Sequence, residues 1–118
     1  MSELIGIARF TFADAASAAE FRRLSERCME IVRAKDPGTL QYDTFVSADE
    51  RHAVVIERYT GSEALIAHAE NIGDELMGAV IATAASVEGE LLGEPSPELR
   101  ARFTEGGPVR LLGLHASM

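Results

Sequence analysis

The chain has 118 residues, 47% hydrophobic and 25% charged, which is the length and balance of one globular domain over residues 1–118. A formal net charge of -8 argues against a nucleic-acid binder, which needs clustered Lys and Arg to neutralise phosphates. The single cysteine, Cys28, excludes an internal disulfide, and no apolar run approaches the ~20 residues of a membrane span. No basic stretch followed by an apolar core opens the sequence, so a signal peptide is not expected and a cytoplasmic location is.

Leu4 to Phe12 reads as a strand, with Phe10 and Phe12 on one face and Ile5 and Ile7 on the other. Asp14 or Ser17 then opens a helix, Ser17 and Glu20 having capping-box spacing. Phe21, Leu24, Cys28, Ile31 and Val32 form its apolar stripe, and Asp36-Pro37-Gly38 stops it. Leu40 to Val46 and His52 to Thr60 read as a hairpin around the polar turn 47–51. Ser62 is the expected N-cap of a second helix with Leu65, His68, Ala69 and Ile72 on one face. Gly73 should break it, with another helical piece from about Asp74 to Ala82. A fourth strand is expected over Ala85 to Leu92, then a short helix from Ser96 or Pro97 to Phe103, and a last strand over Val109 to Ala116.

The order β-α-β-β-α-β predicts an α+β, ferredoxin-like fold: an antiparallel sheet with helices on one face, plus a C-terminal extension from about residue 95. A sheet with one wet face should alternate cleanly, yet Ala53-Val54-Val55-Ile56 is apolar on both faces. A homodimer formed through the open sheet face is the expected cover. The alternative is a terminal segment folded back over its own sheet, and the path of the last strand, own sheet or partner, stays open.

Pro37, Gly38 and Tyr42, followed by Glu57 and Tyr59 and then Ser62, Ala64, Leu65 and His68, carry a further signal. This pattern resembles the antibiotic biosynthesis monooxygenase (ABM) domain family over roughly residues 3–72. The resemblance implies a dimeric α+β barrel with a pocket between helices and sheet. It also implies a small aromatic, quinol- or anthrone-like ligand, oxidised by molecular oxygen with no cofactor. The haem-degrading branch of that family uses a tryptophan and an early asparagine; this chain has no Trp, and its one Asn is Asn71.

His68 is the candidate catalytic base, because an imidazole in an apolar pocket can accept a phenolic proton; its structural alternative is a buried hydrogen-bonded histidine. Tyr42 and Tyr59 are either strand core or groups that orient a ligand by hydrogen bonding and ring packing. Glu57, inside an apolar strand, needs a partner, with Arg9 and Arg110 as candidates, or else contributes to substrate binding. His52 and His115 read as surface residues, Cys28 as a small hydrophobe, and no set of ligands has metal-site spacing. No Gly-rich phosphate loop supports a nucleotide or flavin. Two alternatives to the oxygenase remain at this stage: a non-catalytic ligand-binding dimer, and an isomerase or lyase acting on a small carbonyl compound.

Overall fold

The computed structural model describes residues 3–118. Its elements, in chain order, are β1 (Leu4–Thr11), α1 (Ala15–Lys35), β2 (Thr39–Val46), β3 (His52–Tyr59), α2 (Ser62–Ile72), α3 (Asp74–Ala82), β4 (Ser86–Leu92), α4 (Pro97–Arg100) and β5 (Val109–Leu112). The five strands form one sheet in the order β2-β3-β1-β4-β5. All pairings are antiparallel except β4 with β5, which run parallel. The mixed α+β architecture expected from the sequence is present, with the extra helix and strand at the C-terminal end.

Alternation along β1 sets the layers. Leu4, Gly6, Ala8 and Phe10 share the face toward the helices, while Ile5, Ile7 and Arg9 share the open face. The register places Glu57, Gly6 and Leu91 side by side on the helix face, and Val55, Ala8 and Gly89 in the next row. Phe10, Phe12 and Phe21 pack with ring centroids 4.8–6.5 Å apart at the heart of one core. Fully burying such a side chain stabilises the fold by roughly 1.5–3 kcal/mol. A second, smaller core gathers Leu4, Leu91 and Leu99, so the terminal extension contributes to the interior.

Several local expectations are corrected. Of the two caps expected for α1, Asp14 is the one in place, its side chain accepting from the Ser17 N–H at 2.8 Å. At α2 the cap is Gly61, because Ser62 uses its Oγ to accept from the Ser96 N–H at 2.8 Å and so ties α2 to the chain entering α4. Ala69 is exposed rather than facing the sheet. The fourth helix ends at Arg100, short of Phe103, and β5 ends at Leu112, short of Ala116. β5 pairs with β4 of its own chain. Among the described residues, no helix is long and apolar enough to cross a membrane.

Candidate functional site

Between α1, α2 and the sheet lies a cluster of polar side chains in an otherwise apolar interior. α1 ends at Asp36, whose side chain turns inward as the chain reverses through Pro37 and Gly38 into β2. The turn fits against α2 because residue 38 has no side chain; a Cβ there would stand 2.5 Å from the Ala64 Cβ. β2 and β3 present Tyr42 and Glu57 as register partners, and Tyr59 lies two residues further along the same face. α2 lowers His68 onto them, its ring centroid 5.4 Å from each tyrosine ring.

The imidazole is held at one end. His68 Nδ1 lies 2.6 Å from Asp36 Oδ2, and the two side chains are 5% and 2% exposed. A carboxylate there fixes the tautomer, with Nδ1–H donating and the Nε2 lone pair turned inward. Asn71 Nδ2 donates to Asp36 Oδ1 at 2.5 Å, and to the Lys35 carbonyl at 3.2 Å, so the carboxylate is itself positioned. Nε2 stands 3.9 Å from Glu57 Oε1, beyond hydrogen-bond reach. The Tyr59 hydroxyl donates to that same Oε1.

Burial raises the Glu57 carboxyl above its ordinary range; the Tyr59 hydrogen bond and His68 oppose that rise without cancelling it. The same burial, reinforced by Glu57, pushes the hydroxyls of Tyr42 and Tyr59 upward, so both remain protonated. Cys28 abuts Tyr42, and burial raises its thiol as well, which makes it a poor nucleophile.

The structure therefore brings His68, Glu57, Tyr42 and Tyr59 together. The expected ion pairs of Glu57 do not form: Arg9 and Arg110 lie on the open face, where both bind Glu90. Alternation explains this, since Glu57 faces the helices while Arg9 and Arg110 face away. Asp36 and Asn71 were not among the sequence candidates. Asp36 reads as a helix stop, and only the packing of α2 against the end of α1 shows its role. His52 and His115 are exposed. Among the described residues, no three His, Cys, Asp or Glu side chains gather as for a metal ion. A groove of about 920 Å³ between α1 and β2, lined by Arg22, Met29, Arg33 and Phe45 among others, does not include His68 in its wall.

Fold and site together define a small α+β domain with a buried acid–base group between sheet and helices. The chain belongs to the antibiotic biosynthesis monooxygenase family, whose family model matches residues 4–72, more than half of its length. It is similar in structure to MupZ from Pseudomonas fluorescens, at 16% identity and a TM-score of 0.73, covering 100% of this chain and 94% of that one. Rv0793 from Mycobacterium tuberculosis is 25% identical, with a TM-score of 0.65 over 80% of this chain and 97% of that one. SnoaB, a cofactor-independent oxygenase from Streptomyces nogalater, is 20% identical, with a TM-score of 0.62 over 81% and 96% of the two chains. A comparison with curated proteins found no match.

Proposed function

We propose that this protein is a cofactor-independent monooxygenase of a small hydroxylated aromatic, quinol- or anthrone-like, acting as a homodimer. The observation that carries the reading is the Asp36–His68 pair: a buried imidazole oriented by a carboxylate, with Nε2 directed toward two tyrosines and a glutamate. In this scheme Nε2 takes a phenolic proton, and Asp36 stabilises the imidazolium that forms. The substrate anion is then electron-rich enough to react with molecular oxygen. One oxygen atom joins the ring carbon, and the other leaves as water with the two hydrogens that the substrate gives up. Membership of the family and the fold shared with SnoaB support the oxygen chemistry.

His68 is 4% exposed, so substrate reaches Nε2 only when the surrounding side chains shift. That closure favours, as a second reading, a binding domain without turnover. Oxygen uptake by the metal-free protein across a panel of quinols and anthrones separates the two. Positioned general bases contribute about 10²–10⁴-fold. His68→Ala should therefore lose uptake by that factor, and Asp36→Asn by a smaller one. Wild-type protein that consumes no oxygen with any substrate leaves the binding reading, and uptake unchanged in His68→Ala removes the base.

The dimer rests on the open face of the sheet. Ile5, Ile7, Val54 and Ile56 are half-buried there, Phe45 is 56% exposed, and among the described residues no helix covers them. Apolar residues left uncovered on a sheet face, here interspersed with Arg9, Arg58 and Glu90, are a feature of interfaces.

A further inference from the structure

Two side chains of α2 grip one carboxylate at the end of α1. His68 and Asn71 lie three residues apart and so on one face of the helix. The imidazole meets Asp36 Oδ2, and Asn71 Nδ2 donates to Oδ1 at 2.5 Å. Thr39 Oγ1 also reaches Oδ2, but at 3.4 Å, too long for a strong bond. Among the described residues, His68 is the only basic side chain in ion-pair reach of Asp36. The terminal torsion of an aspartate is soft. A single bond to the imidazole would leave the carboxylate plane free to turn, and the second hold at Oδ1 fixes it.

The amide has a further partner. Its Nδ2 also donates to the Lys35 carbonyl at 3.2 Å, one of those that the end of α1 leaves without a helical partner. Asp36 is the C-cap of α1, and its backbone N–H goes to the Val32 carbonyl. A carboxylate at that end of a helix sits in the negative field of the last carbonyls. Both groups that face Asn71 are therefore acceptors, so the amide turns its nitrogen to them. An aspartate of the same shape would offer only acceptors in its place.

We infer that Asn71 is the positioning residue of the His68 base: it holds Asp36 Oδ1 so that Oδ2 keeps the imidazole proton on Nδ1 and leaves the Nε2 lone pair for the substrate. Asn71 touches no reacting atom and acts only through Asp36. Its bearing on turnover rests on the proposed function, whereas the state it imposes on His68 rests on the geometry. Without Asn71 the carboxylate swings off the imidazole. The neutral ring then exchanges between its two tautomers, and the one that carries Nε2–H cannot take a phenolic proton. A side chain that merely capped the Lys35 carbonyl would affect stability and leave the tautomer alone.

NMR of the protein with isotopically labelled histidine reads the ring directly. The chain has three histidines, His52, His68 and His115, and His68 is identified by the signals missing from His68→Gln. In the wild type, at a pH where the ring is neutral, Nδ1 should carry a slowly exchanging proton and Nε2 none. In Asn71→Leu, close in shape but without donors, the Nδ1–H signal should broaden or vanish and the two ring nitrogens should average. Oxygen uptake across the quinols and anthrones is followed in parallel. Its kcat should fall by about 10–100-fold, as when outer-shell partners of a histidine are lost, with KM little changed. Asn71→Asp, which repels the carboxylate instead of holding it, is read in the same way if Asn71→Leu fails to fold. Unchanged His68 signals in a folded variant overturn the inference whatever becomes of uptake, and leave Asn71 a helix cap. A wild-type ring protonated on Nε2 overturns it as well. Altered His68 signals in a protein whose wild type consumes no oxygen remove the oxygenase and keep the hold of Asn71 on His68. Altered signals with undiminished uptake show that His68 is not the base, and overturn the role of Asn71 in turnover.

Discussion

Glu57 sits between Ile56 and Arg58 in the middle of the sheet, and the two neighbours point away from the helices while it points among them. Burial raises its folded pKa above the ordinary value of 4.5. Below that value both folded and unfolded chains hold the proton, and the stabilising contribution of the protonated group is fully present. As pH rises toward the folded pKa, the unfolded chain has already released its proton, so stability falls through that window. Glu57→Gln keeps an oxygen for the Tyr59 hydroxyl and removes the titration. Its melting temperature relative to wild type should therefore climb as pH rises above the ordinary carboxyl value of 4.5. A difference that stays flat across this range would show that Glu57 is ionised throughout. His68 is visible in the sequence through the helix face it shares with Leu65 and Ile72, and Tyr42, Glu57 and Tyr59 through the family pattern, whereas the layer that Glu57 faces is not, since its expected arginine partners lie on the opposite face. Asp36 and Asn71 were not legible in that way, since their roles depend on one helix end docking against another.

At the scale of elements, the Pro37–Gly38 turn governs how α2 meets the rest of the fold. The Gly38 carbonyl accepts from the Thr60 N–H at 2.9 Å, which fixes the turn against the start of α2, and a methyl at residue 38 would overlap Ala64. Gly38→Ala should accordingly destabilise the protein by about 1–3 kcal/mol through overpacking. A urea transition is the appropriate measure, and an unchanged midpoint would mean that α2 can retreat without cost. Hydrophobic periodicity located every helix and strand, with errors confined to ends. Ser62 illustrates the reason for those errors: a serine before a helix has the composition of a cap, but here its hydroxyl is diverted to the backbone at Ser96, a contact 34 residues away in sequence. The last strand stops at Leu112, where β4, its partner among the described residues, runs out at Leu92.

For the whole molecule, the proposed dimer depends on the open face. Ile7 and Ile56 are register partners at its centre. A lysine at residue 7 would place a charge in the proposed interface, so Ile7→Lys should sediment as a monomer where the wild type sediments as a dimer. A monomeric wild type at micromolar concentration would remove the dimer from the proposal. The apolar character of both faces was readable in Ala53-Val54-Val55-Ile56, whereas the identity of the cover was not, because one chain's sequence does not state its own neighbours. The strand order has a further bearing on how the chain is made. β1 lies at the middle of the sheet, between β3 and β4, yet it comes first of the five strands in the sequence. It pairs on one side once residues 52–59 are available, and on the other only when residues 86–92 follow. Until then one edge of β1 is bare, and a nascent or truncated chain ending near residue 72 exposes it as a template for pairing with other chains. The segment that carries the family pattern is therefore not the segment that closes the sheet: β4, outside that pattern, is what covers the remaining edge of β1.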